Sequence, residues 1–184
     1  LGFNVATGVS TATISFAATG TGSIVNGTVN IIYPIEKNLV RKTKTLITNH
    51  SISVTSPKTT PGETDSLGVT DVLQLVSIKD NGISIGGGEF LDVTDRYELD
   101  NGQRDNFYGI ATIRLKYGAL PPVGNLNILV DYYQHSSGDY FSVDSYSGTD
   151  YEDIPSFNSS KRLIQLRDAI DFRPTKDITG NNFT

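Results

Sequence analysis

Residues 92–146 read DVTDRYELDNGQRDNFYGIATIRLKYGALPPVGNLNILVDYYQHSSGDYFSVDSY, and their pattern decides the fold class. Ile113, Leu115 and Tyr117 alternate with Thr112, Arg114 and Lys116. A period of two with one apolar face marks a half-buried strand. Leu126, Ile128, Val130 and Tyr132 then alternate with Asn127, Leu129, Asp131 and Tyr133. Between the two, residues 119–124 (ALPPVG) cannot continue a ladder, because proline has no N–H to give. Asp100-Asn101-Gly102 and residues 136–139 (SSGD) carry the residue types that tolerate tight turns. Tyr140 to Tyr146 reads as a shorter polar strand or an extended arm.

Upstream the same punctuation continues. Gly68 to Lys79 reads as a strand, with Val72, Val76 and Ile78 on one face and Leu73 and Leu75 on the other. Apolar residues on both faces suggest cover on both sides near its start. Asp80-Asn81-Gly82 predicts a tight hairpin, with residues 83–85 beginning the return strand. Gly86-Gly87-Gly88 lacks the Gly-Lys-Ser/Thr ending of a phosphate loop and reads as a turn or bulge. Residues 56–66 (SPKTTPGETDS) mark a long loop or a sub-domain boundary. Residues 38–55 supply one long strand or two short ones, and residues 11–16 and 23–34 supply further strands. Asn26-Gly27 is a hairpin turn or a bulge. Near the end, Leu163, Leu166 and Ile170 fit a short helix stopped by Pro174, and the stretch equally fits a strand with Leu163, Gln165 and Arg167 on one face. The expected fold is all-β: antiparallel β-sandwich architecture with a small irregular or short-helical C-terminal segment. It is divided into a β-rich segment over 1–60, separable as a small domain, and a β-rich domain over 61–184.

Composition excludes several function classes. With 184 residues and 37% hydrophobic content, plus 18 glycines, the chain can bury one ordinary core. A net charge of −5 argues against a nucleic-acid partner. The only short basic run, Arg41-Lys42-Thr43-Lys44, reads as the solvated face of a strand. Without cysteine there is neither a disulfide framework nor a thiolate metal site. No apolar run approaches the roughly 18 residues of a membrane span. The chain begins at Leu1 and contains no Met, which reads as a segment of a longer polypeptide.

No catalytic, cofactor or metal residues emerge, and the expectation is a non-enzyme. His50 and His135 lack a second ligand at metal spacing and read as surface or turn residues. The acidic sets Asp92, Asp95, Glu98, Asp100, Asp105 and Asp139, Asp144, Asp150, Glu152, Asp153 lack the calcium-loop spacing. Arg96, Arg104 and Asp105 surround one turn, while Arg167, Asp168, Asp171 and Arg173 cluster near the end. Such Arg–carboxylate sets either lock a turn from within or hold a neighbouring chain. Asn-x-Ser/Thr sequons at Asn26, Asn49, Asn158 and Asn182 are weak signals in a chain this rich in those residues.

Four stretches carry a resemblance: residues 92–108 (DVTDRYELDNGQRDNFY), 131–146 (DYYQHSSGDYFSVDSY), 151–155 (YEDIP) and 166–174 (LRDAIDFRP). In this order they resemble large virion structural proteins of contractile-tailed bacteriophages, cyanophages included, from the baseplate or tail-fibre region. The resemblance covers roughly residues 68–174. It implies an assembly role in a phage tail, packed against other tail subunits or copies of itself, and brings no catalytic residues. It also implies a virion location, with assembly in the host cytoplasm. The rival expectation is a module that binds host-surface glycan, stacking sugars on Tyr132, Tyr133, Tyr140 and Tyr146. Core packing is the competing reading of those rings, and the absence of Trp removes the largest stacking surface. The expected interaction surface therefore comprises Tyr132, Tyr133, Tyr140, Tyr146, Arg167 and Arg173.

Overall fold

A computed structural model describes Gly2–Asn4, Thr13–Ser15 and residues 38–176. The chain divides into two units, Leu1–Lys37 and Asn38–Thr184. In the first, β1 (Gly2–Asn4) pairs antiparallel with β2 (Thr13–Ser15), Phe3 opposite Ile14. The strand expected over 23–34 lies outside the described residues.

The second unit is all-β and holds two main sheets. The five-stranded sheet has the order β10-β3-β9-β5-β6. Its strands are β3 (Lys44–Val54), β5 (Val72–Gly86), β6 (Glu89–Asp92), β9 (Leu126–His135) and β10 (Tyr146–Ser147). The three-stranded sheet has the order β4-β8-β7, from β4 (Thr64–Thr70), β7 (Tyr97–Asp100) and β8 (Ile110–Leu115). All pairings are antiparallel except β10 on β3. A small hairpin of β11 (Ser156–Asn158) and β12 (Leu163–Gln165) follows. Single 3-10 turns at Thr94–Arg96, Val143–Ser145, Tyr151–Asp153 and Leu166–Asp168 are its helical content among the described residues.

The core lies between the two sheets. Ala111, Ile113 and Leu115 from β8 meet Leu126, Ile128 and Val130 from β9, with Leu67, Val72, Ile78, Val93 and Tyr97 around them. Each fully buried Leu, Ile or Val contributes about 1.5–3 kcal/mol relative to exposure. A second, smaller cluster of Ile154, Phe157 and Leu166 supports the C-terminal part.

The burial of β9 changes face part-way along. Leu126, Ile128 and Val130 are buried, and so are Asp131 and Tyr133. Both neighbours of β9 bulge there: β3 shifts register between Ile47 and His50, and β5 between Val72 and Gln74. Asp131 ties the two bulges together. One of its carboxylate oxygens accepts the Asn49 backbone N–H at 2.7 Å, and the other accepts the Gln74 amide at 2.6 Å. Asn49 sits at φ 53°, a conformation Asn adopts more readily than most residues.

Several expectations are corrected. Asp80-Asn81-Gly82 is not a hairpin: β5 runs through it to Gly86, and the chain reverses at Gly87-Gly88 into β6. Residues 83–85 therefore belong to the outgoing strand. Asp80 is buried, and its carboxylate accepts N–H groups from Gly82, Val123 and Gly124 at 2.7–2.9 Å. The strand expected over 68–79 is broken at Asp71, where the chain passes from β4 of one sheet into β5 of the other. Bulges in β5 also expose Val76, which alternation had placed with buried Val72 and Ile78. Tyr117 lies beyond the end of β8 and is exposed. Residues 38–60 pack with the second unit, because β3 is hydrogen-bonded to β9, and the division falls after Lys37 rather than at 60. The tail is neither a helix nor one strand, but β12 followed by a 3-10 turn.

Candidate functional site

The corner at Asp71 organises a buried cluster of charged and aromatic side chains. Asp71 has φ 53°, a left-handed conformation that Asp adopts more readily than most non-glycine residues. Strand register supplies its partners. Lys44 opens β3 opposite His135 on β9, and on its other side pairs with Tyr146 of β10. Tyr108, in the loop between β7 and β8, bridges to Thr175, and Phe141 bridges to Asp171. Four backbone hydrogen bonds stitch this C-terminal segment down: Tyr108 N–H to Pro174, Lys176 N–H to Tyr108, and a reciprocal pair between Phe141 and Asp171.

Within the cluster the polar atoms are matched. Lys44 Nζ donates to Asp71 Oδ2 at 2.6 Å and to the Tyr108 hydroxyl at 2.9 Å. The two ionised side chains are 0% and 1% exposed. His135 Nε2 lies 2.8 Å from the same Asp71 oxygen, and Gln103 Nε2 donates to Asp71 Oδ1 at 2.9 Å. A carboxylate only accepts, so His135 carries its proton on Nε2 and its Nδ1 accepts from the Thr175 hydroxyl at 2.8 Å. The Tyr108 hydroxyl donates to Asp171 and accepts from Lys44 and, at 2.7 Å, from Arg173. Arg173 in turn grips both Asp171 oxygens through Nε and Nη2. Two cations thus face two anions.

Aromatic rings close the space around the cations. Lys44 Nζ lies 4.3 Å from the Tyr108 ring centre, 4.7 Å from Phe141 and 5.1 Å from Tyr146. The Arg173 guanidinium is held between Tyr108 and Phe157, at 4.3 and 4.2 Å. Such desolvated cation–π contacts contribute about 2 kcal/mol each.

The electrostatics follow from this enclosure. Burial alone would raise the Asp71 carboxyl, but the Lys44 charge and the His135 hydrogen bond more than offset it and hold its pKa at about 2. Asp171 behaves likewise: burial raises it, and the hydrogen bonds from Arg173 and Tyr108 bring it below the ordinary carboxylate value. Burial lowers the Lys44 ammonium, and Asp71 restores it only in part. Burial also lowers His135, which keeps the ring neutral despite Asp71. Burial, then Asp71 and Asp171, push the Tyr108 phenol well up.

The basic run 41–44 is thus corrected: Lys42 and Lys44 are buried rather than solvated. His135 is likewise no surface residue, its side chain being 6% exposed. Of the expected surface residues, Tyr133 is buried and Tyr146 is half-buried against it, edge to face at 5.3 Å. Tyr132 is half-buried, packed on the main core and beside His50. Tyr140 is half-buried beside Phe172. Arg167 pairs with Glu152 and stacks on Tyr151, apart from the cluster, whereas Arg173 lies inside it. These six residues do not form one platform. Several carboxylates of the acidic sets take protein partners, Asp100 with Arg104, Glu98 with Arg114, and Asp144 with Arg41. Among the described residues no group of three or more His, Asp or Glu side chains could hold a metal ion. Nor is any helix long and apolar enough to cross a membrane.

Lys44, Asp71, Gln103, Tyr108 and Thr175 are the members that the sequence pattern missed. One signal was available: Asp71 places a charge, next to Thr70, within a stretch flanked by Leu67, Val69, Val72 and Leu73. Comparison with known proteins finds no matching family model, no matching curated protein and no matching solved structure.

Proposed function

We propose that this chain is a non-enzymatic structural component of a bacteriophage tail, from the baseplate or fibre-attachment region, and a segment of a longer polypeptide that mediates virion assembly. The observation that carries this reading is where the four motif stretches go. Tyr108 ends the first, Tyr133, His135, Phe141 and Tyr146 belong to the second, and Asp171 and Arg173 to the fourth. All converge on the buried cluster, and the third supplies Ile154 to the small core beneath it. Their polar atoms bond to one another, which suits a device that holds a fold rather than one that meets a substrate.

Two further features support an assembly role. Ile170 and Phe172 are 64% and 59% exposed. They border a groove of about 490 Å³ beside Phe157 and Leu166, an apolar surface suited to a neighbouring subunit. The glycan-binding alternative is weaker, because Tyr133 and Tyr146 are committed to packing around Lys44. The test is mass spectrometry of purified tailed particles. The tryptic peptide 105–114, which contains Tyr108, is expected to co-purify with intact tails. Its recovery from the free lysate protein alone, with none in particles, contradicts the proposal.

A further inference from the structure

We propose that Lys44 and Asp71 condense to form an intramolecular isopeptide bond. The two side chains meet at 2.6 Å, Nζ to Oδ2, and are enclosed almost completely. The contact is fixed from both ends. β-sheet register places Lys44 opposite His135, and the sheet-to-sheet corner places Asp71. An amine and a carboxyl held in this way gain the rate advantage of a unimolecular reaction.

The groups around the pair suit amide formation. Rings of Tyr108, Phe141 and Tyr146 surround Nζ and exclude water. In that low-dielectric space the ion pair bears the desolvation cost of both charges, which lowers the cost of passing a proton across from the resting ion pair to the neutral amine and acid that attack requires. Gln103 Nε2 points its N–H at Oδ1, the oxygen on which negative charge develops when nitrogen attacks the carbonyl carbon. His135 Nε2 contacts Oδ2, the oxygen that departs. The balance closes without any other reactant. The Lys44 ammonium brings three protons; one stays on the amide nitrogen and two leave with Oδ2 as water. The Nζ–Cγ bond forms, the Cγ–Oδ2 bond breaks, and the positive and negative charges cancel. This is a single self-limiting condensation, not turnover, and it stands independently of the tail assignment.

The bond would tie the first residue of β3 to the corner before β5 in a chain that contains no cysteine. It would therefore supply a covalent clamp insensitive to redox conditions. The test is the intact mass of the purified full chain, denatured after incubation at neutral pH until the mass is constant. The wild type is expected to be one water lighter than its sequence. Trypsin is expected to leave peptides 43–58 and 59–79 joined through Lys44 and Asp71. Asp71→Asn is expected to reach the same final mass by losing ammonia instead, whereas Lys44→Met keeps its full sequence mass. A wild type at full sequence mass overturns the proposal. So does a water loss that persists in Lys44→Met, or one that maps elsewhere. The wild-type measurement decides even where a variant does not fold.

Discussion

Tyr108 and Tyr97 are both buried tyrosines, and their hydroxyls have opposite fates. The Tyr108 oxygen serves Lys44, Asp171 and Arg173 at once. The Tyr97 hydroxyl has no hydrogen-bond partner among the described residues and sits in the main core. Burial, then the Asp65 and Asp80 carboxylates, push the Tyr97 phenol up to about 12, so it stays neutral. Removing a matched oxygen leaves charged neighbours unsatisfied, whereas removing an unmatched one relieves a desolvation cost. Tyr108→Phe is therefore expected to lose about 2–3 kcal/mol in urea unfolding, and Tyr97→Phe to lose nothing or gain up to about 1 kcal/mol. Equal losses in the two variants contradict this assignment.

At the scale of elements, the bulges facing β9 decide which side chains reach the cluster. An extra residue in β3 and in β5 re-aims the strands beside β9 at the position where burial changes face. Asp131 holds both, so Asp131→Ala leaves the Asn49 N–H unpaired. Urea unfolding is expected to report a loss of about 1–3 kcal/mol, and a loss below about 0.5 kcal/mol denies Asp131 that role. The strands themselves were legible in the sequence where alternation is unbroken, as at Ala111, Ile113 and Leu115 or Leu126, Ile128 and Val130. The bulges and the partners of the Asp71 corner were not legible, since an inserted residue only shifts the phase of a period of two, and what it then faces is set by residues distant in sequence. Asp80-Asn81-Gly82 misled for a related reason. Its Asp bonds not only to Gly82 but to Val123 and Gly124, partners more than 40 residues away. Lys44 looked solvated because its partners come from other elements: Asp71 is 27 residues on and Tyr108 is 64.

For the whole molecule, the cluster joins three parts that local packing alone would leave separate. It links the end of the five-stranded sheet through Lys44 and His135, the β7–β8 loop through Gln103 and Tyr108, and the C-terminal segment through Asp171, Arg173 and Thr175. Buried charges are a weak source of net stability, and well-packed apolar residues often replace them at no cost. Their effect here is placement: each charge has one position in which it is matched. Breaking such a pair from one side costs about 3–5 kcal/mol. That loss falls first on the segment held by the broken member, because the segment has little apolar core of its own.

Native-state amide hydrogen exchange on the full chain, comparing wild type with Arg173→Leu, tests this most directly. Loss of Arg173 removes the clamp on Asp171 and Tyr108 while leaving the inter-sheet core untouched. The predicted result is faster exchange confined to the Tyr108, Phe141 and Asp171 amides and their neighbours, with β8 and β9 protected as in wild type. Uniform acceleration across β8 and β9, or no change at Phe141 and Asp171, contradicts the account.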